Sequence, residues 1–187
     1  MKNLSQSVFI ARDMCCAHNN MLRSLNSIYQ QCIHVSEVQD IQDLLKYAEF
    51  WCGWIYEHHE GEEKFFFPCV EDITGVKGLM EKNIAQHHAF VPGLEELSIY
   101  VKTTEVGEYD GKKLRSIIEG FGHKLTEHLT DEIQTLLALK EYDSSPKLME
   151  AYNNFDLEMR KGDKVRATCL RSKQRPLTDE FSPFSSR

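Results

Sequence analysis

The chain has 187 residues, 41% hydrophobic and 27% charged, which suits one compact domain with its own core and leaves too little for a second full one. Its formal net charge of -7, from 22 Lys and Arg against 29 Asp and Glu, argues against a nucleic-acid partner, because phosphate-backbone binders present a basic face. The start, MKNLSQSVFIARDMCC, has no apolar run of signal-peptide length, and no stretch approaches the roughly eighteen apolar residues of a membrane span; the expectation is a soluble, cytoplasmic protein with no membrane partner.

Helical periodicity dominates, and strand alternation is nearly absent. A first helix is predicted over 5–29, where Ala11, Met14, Cys15, Leu22 and Leu25 recur at threes and fours. The second is predicted over 40–67 on Leu44, Leu45, Ala48, Trp51, Ile55 and Phe65, with Pro68 as its terminator, since proline cannot extend the backbone ladder. EDITGVKGL, with two glycines, reads as the link to a third helix over 79–101, kinked at Pro92. After the polar EVGEYDG a fourth helix spans 112–139. Four such helices with short polar links make an all-α, up-and-down four-helix bundle the expected fold over 1–142.

Over 143–187, Ser145 and Pro146 suit the N-cap and first position of a short helix reaching 159. From Arg160 onward the polar, locally basic sequence reads as a tail that drapes over the bundle or stays disordered. Six cysteines (Cys15, Cys16, Cys32, Cys52, Cys69, Cys169) lack a CxxC pair, which in a reducing compartment points to buried thiols rather than disulfides or zinc ligands.

Two stretches carry the chemistry. HHEGEEKFF at His58 and HLTDEIQTL at His128 both place a histidine four residues before a glutamate, and on a helix such a pair presents nitrogen and oxygen to one point. Helical steps from His128 reach Leu125, Phe121, Ile118 and Leu114 backwards and Glu132 and Leu136 forwards, which is the buried stripe. His123 instead shares its face with Ser116, Glu119 and Glu127. His87 lies in line with Met80, Ile84, Phe90, Leu94 and Val101 and faces inward, whereas His88 has Glu81 and Glu95 one heptad either side. His18 follows Ala11 and Cys15 and precedes Met21, Leu22 and Leu25, so it too faces inward. In the second helix, periodicity leaves two inward pairs open, His58 with Glu62 or His59 with Glu63.

A single inward histidine is more often a satisfied core residue than a ligand. Four of them with two carboxylates are another matter, because an unpartnered buried carboxylate costs on the order of several kcal/mol. A metal removes that cost. Imidazole and carboxylate without thiolate suit iron, manganese or zinc, and two carboxylates able to bridge, with two histidines for each metal, describe a dinuclear site. Phosphate loops and a GxSxG elbow are absent, and the HExxH signature that His59 and Glu60 would open has Glu63 in place of its second histidine.

These motifs resemble those of the hemerythrin-like, or HHE cation-binding, family. EHHEGEEKFFFP is similar to its HFxxEExxM and HHxxEExxFFP signatures, AHNN to its first-helix histidine motif, and QHHAF and HLTDE to those of its third and fourth helices. The likeness covers residues 8–139 and is closest to the small single-domain fungal type. The resemblance implies His18, His58, Glu62, His87, His128 and Glu132 as metal ligands, holding two iron ions bridged by carboxylate and by an oxo or hydroxo group. His59 and Glu63 then become their neighbours, and with Glu60 they are candidates for relaying protons beside the site. Trp51, Trp54, Phe65 and Phe66 are candidates to wall a pocket. Oxygen-carrying hemerythrins have HxxxH on the third helix, whereas the residue four before His87 is Asn83, a poor iron ligand. Two histidines per iron leave both metals an open position. The expected function is therefore activation of O2 or peroxide by an oxidase or oxygenase acting on a small organic substrate. The second expectation is an O2, redox or iron sensor, or an iron-storing or O2-carrying module without turnover.

Overall fold

Apolar residues at threes and fours fold α1 (Gln6–Gln31), which buries Ile10, Met14, Met21, Leu25 and Ile28, and α2 (Val38–Gly61), which buries Leu44, Leu45, Ala48, Trp51 and Ile55. These elements belong to a computed structural model that describes residues 5–162, and no strand occurs among the described residues.

The second helix does not end at Pro68, contrary to the sequence expectation. Glu62–Phe66 form a π turn, and α3 (Phe67–Thr74) carries the helix on to Gly75, whose φ of 71° lies in the left-handed region that suits glycine. Pro68 occupies the first turn of α3, where a missing N–H is tolerated. A proline inside a regular α-helix also collides with the carbonyl four residues back, here Lys64, and a widened turn just before it is one way out. The turn shifts the register by a residue, so Phe66 and Phe67 are buried while Phe65, expected in the core, is 36% exposed with Lys64 over its ring.

After a turn comes α4 (Glu81–Thr103), which contains Pro92 on its exposed face and continues past it. At the start of α5 (Gly111–Ala138) the Asp110 carboxylate accepts the N–H groups of Lys112 and Lys113 at 2.9 and 3.1 Å. Here α5 passes very close to the end of α1: a Cβ on Gly111 would lie 1.9 Å from the Cys32 carbonyl oxygen. Because backbone would have to move, Gly111→Ala is expected to destabilise the chain by about 1–3 kcal/mol. A denaturant midpoint equal to wild type would show that this contact relaxes without strain.

α1 packs on α2 and α5, and α4 completes the square by packing on α2 and α5. The core is split in two. Met21, Leu25, Trp51, Ile55, Phe90, Leu94 and Phe121 belong to one apolar cluster, and Ile10, Met14, Phe66, Phe67, Met80 and Leu136 to the other. Between them each helix turns polar side chains inward: His18; His58, His59 and Glu62; His87; and His128 and Glu132.

α6 (Lys147–Gly162) begins where expected, with the Ser145 hydroxyl accepting the Lys147 N–H at 3.4 Å. It lies across α1, α2, the π turn and α3, adding Leu148, Tyr152 and Phe155 to the second cluster. The Tyr152 hydroxyl ties it to Asp13 at 2.9 Å. Of the cysteines, Cys32 and Cys52 are buried thiols, but Cys16 and Cys69 are exposed, against the expectation of burial; none of the described five is in a disulfide. Cys169 and the tail from residue 163 lie outside the described residues. No helix among the described residues is long and apolar enough to cross a membrane.

Candidate metal centre

The polar layer is assembled from all four long helices. α1 supplies His18, α2 supplies His58 and His59, the π turn Glu62, α4 His87, and α5 His128 and Glu132, and none of the seven is more than 4% exposed.

Hydrogen bonds on the outer side of the rings aim the inner nitrogens. The Nδ1–H groups of His18 and His59 donate to the carbonyls of Leu129 and Ile55 at 2.8 and 2.7 Å, and that of His87 to the Glu63 carboxylate at 2.6 Å. In the neutral ring this leaves each Nε2 with its lone pair pointing inward. Nε2 of His87 stands 3.0 Å from Nε2 of His128, a separation at which the two rings share a proton or a cation.

The carboxylates sit among these nitrogens. Glu62 Oε1 is 2.8 Å from His58 Nε2, and Glu62 Oε2 is 3.7 Å from His87 Nε2. Glu132 Oε2 is 3.3 Å from His18 Nε2 and 3.7 Å from His128 Nε2. None of the four carboxylate oxygens accepts a hydrogen bond of ordinary geometry, although all are buried. Their nearest polar neighbours are imidazole nitrogens at ion-pair distance, and buried carboxylate oxygens without a well-formed hydrogen bond are rare in folded proteins. A cation is the partner that nitrogen lone pairs and carboxylates have in common.

The donor atoms fall into two groups, each within 4.8 Å: His18 with His58 and Glu62, and His59 with His87, His128 and Glu62. Glu62 belongs to both, and Glu132 spans one histidine from each. Burial, and next to it the charge of Glu132, pushes the Glu62 carboxyl well above its ordinary range. Burial pushes His59, His87 and His128 down, with charge on neighbouring rings lowering His59 and His128 further. Without a cation the cluster therefore prefers neutral groups; with one, carboxylate and lone pairs are satisfied together. The residues fit metal.

Other candidates from the sequence are placed differently. His88 and His123 are exposed, as their faces indicated. Glu60 is also exposed, pointing away from the layer, so it is not in position to relay a proton there. His59 is buried in the layer and groups with His87, His128 and Glu62. Glu63 is half-buried and holds His87. Trp51 lies in the first apolar cluster, bonded to the Met21 carbonyl at 3.0 Å, and Trp54 packs against that cluster; neither they nor Phe65 wall the histidines. The ring neighbours of the histidines are Phe90 against His59, Phe67 against His87 and Phe155 against His58, with Phe66 stacked behind Phe155. Phe90 was legible as an inward residue one turn from His87, but Phe155 was not, since nothing in its own helix says where that helix docks. Because a carboxylate on the outer nitrogen orients a ligand and raises its basicity, Glu63→Gln is expected to weaken cation binding by roughly 10–100-fold. Chelator competition would measure this, and unchanged affinity would reduce the His87 contact to a surface ion pair.

The fold and this layer define a helical cation-binding protein, and the comparison with known families agrees. Residues 16–139 match the hemerythrin HHE cation-binding domain, and the chain belongs to that family. It is similar to the dimeric xanthone biosynthesis cluster protein R11 of Cryptosporiopsis sp. (strain 8999), with 44% identity over 142 residues. The aligned part is 76% of this chain and 54% of the relative, so the chain spans about half of that protein's length. No solved structure matches the chain at a significant level.

Proposed function

We propose that the protein holds two iron ions between His18, His58, His87 and His128, with Glu62 and Glu132 shared, and that it activates O2 or peroxide as an oxidase or oxygenase. The observation that carries this reading is Glu62, fully buried and common to both donor groups, because a carboxylate in that place serves a pair of cations better than one. Iron would supply the redox chemistry. The chain's own part is to present neutral Nε2 atoms, hold His87 in place through Glu63, and exclude water with Phe67, Phe90 and Phe155. For the substrate we take a small aromatic metabolite, since the similar fungal protein is described as part of a dimeric xanthone biosynthesis cluster.

A second reading, a sensor, store or carrier of O2 or iron without turnover, is favoured by the burial of the layer, which admits ions and gases more readily than organic molecules. Elemental analysis of protein purified without chelator is expected to find two irons per chain, and the optical spectrum of the reduced form to change on adding O2. Oxidation coupled to product from an added phenolic substrate supports the enzyme; oxidation that ignores the substrate supports the sensor or store. Folded protein with no metal, or with a single zinc, would return the histidines to the core.

A further inference from the structure

The second donor group contains a residue that helical spacing leaves as an alternative inward position to His58 and that the family signature does not assign to the metal. His59 is 4% exposed, and its Nδ1–H is anchored to the Ile55 carbonyl at 2.7 Å. Its Nε2 is buried with no hydrogen-bond partner. Its ring lies 4.6 Å from that of His87 and 4.9 Å from that of His128, which are themselves 4.3 Å apart, so three imidazoles close a triangle with Glu62 beside it.

On α4 the position one turn before His87 is Asn83, 1% exposed. Residues four apart on a helix point at one place, so this position addresses the same half of the site as His87. A carboxamide nitrogen has no lone pair to give, and its oxygen is a weak ligand for a transition metal. Neither polar atom of Asn83 has a hydrogen-bond partner.

We propose that His59 is a direct metal ligand, taking from α2 the coordination position that Asn83 on α4 leaves unfilled. The two halves of the site are then unequal, with His59, His87 and His128 on one side and His18 and His58 on the other, Glu62 being common to both. This rests on the metal reading above and departs from its even division of histidines.

The test is an exchange between helices, read as metal per chain and chelator-competition affinity. His59→Ala is expected to lose one metal equivalent, or at least roughly tenfold in affinity at one position. The double variant His59→Ala with Asn83→His is expected to restore it, because residue 83 then offers an imidazole beside His87. Retention of both metals at wild-type affinity in His59→Ala would overturn the proposal. A loss that Asn83→His does not restore would overturn the claim that the two residues serve one position. Wild-type protein that takes up no metal sinks the metal reading and this proposal together, whereas a metal-loaded wild type with an indifferent His59 sinks only this one. Should His59→Ala not fold, the wild-type chain loaded with Co(II) decides: paramagnetically shifted ring N–H protons from five histidines are expected, and four would overturn it.

Discussion

Glu62→Gln is expected to abolish cation binding and yet to raise the thermal stability of the metal-free protein at pH 8. The Glu62 carboxyl is fully buried and its pKa is raised well above 4.5, first by burial and then by Glu132. A group raised in this way contributes its stability below the unfolded value and loses it as pH rises through the folded one. Metal-free wild type therefore weakens on the alkaline side, while a neutral amide of the same shape does not. The gap should open with rising pH and reach on the order of several kcal/mol, the effective penalty of burying an ionisable carboxyl, or roughly 6–20 °C in Tm for a chain of this size. His59, His87 and His128, all lowered, act in the opposite direction: their contribution is present above 6.5 and is lost as pH falls from there through their lowered values. They are common to both proteins, so to first order they cancel in the comparison. Adding cation should reverse the order, since only wild type gains from binding, by about 2.7 kcal/mol at a hundredfold excess over Kd. Melting curves with and without chelator at pH 5 and pH 8 would measure all of this. Equal Tm values for the two chelated proteins at pH 8 would mean that the Glu62 carboxyl is not raised above its ordinary range.

Phe155→Ala is the second large effect, expected to destabilise the protein by about 3–5 kcal/mol. That corresponds to a fall in Tm of roughly 6–20 °C. Phe155 is 2% exposed, stacked on Phe66 with ring centres 5.6 Å apart and set against the His58 ring at 5.9 Å. Removing it leaves a cavity between α6 and the π turn and thins the wall over His58. Leu157 on the same helix is 56% exposed, so Leu157→Ala should stay within about 0.5 kcal/mol of wild type. If Phe155→Ala and Leu157→Ala melt alike, α6 is not docked as described.

The metal layer was legible in part because some faces are decided within one helix. His128 and Glu132 lie in line with Leu125, Phe121 and Leu136, and all of these are buried. His87 and His18 were placed by the same count, and His88 and His123 were set outside by it. The second helix resisted because α2 packs against α1, α4 and α6, so its buried arc is wider than a stripe and takes in both His58 and His59. A period of 3.6 residues says where the centre of a face lies but not how wide the neighbours make it.

What the sequence by itself determined is therefore the helices, their inward faces and a layer of imidazole and carboxylate cut through an apolar core, because periodicity and i, i+4 spacing are local. Only the tertiary structure decided that Pro68 follows a π turn instead of ending a helix, and so that Phe67 rather than Phe65 meets His87. It also decided that α6 brings Phe155 over His58, and that His59 lies with His87 and His128 in one donor group. Each of these depends on which helix lies next to which, and contact between segments distant in the chain leaves no mark on the spacing within either.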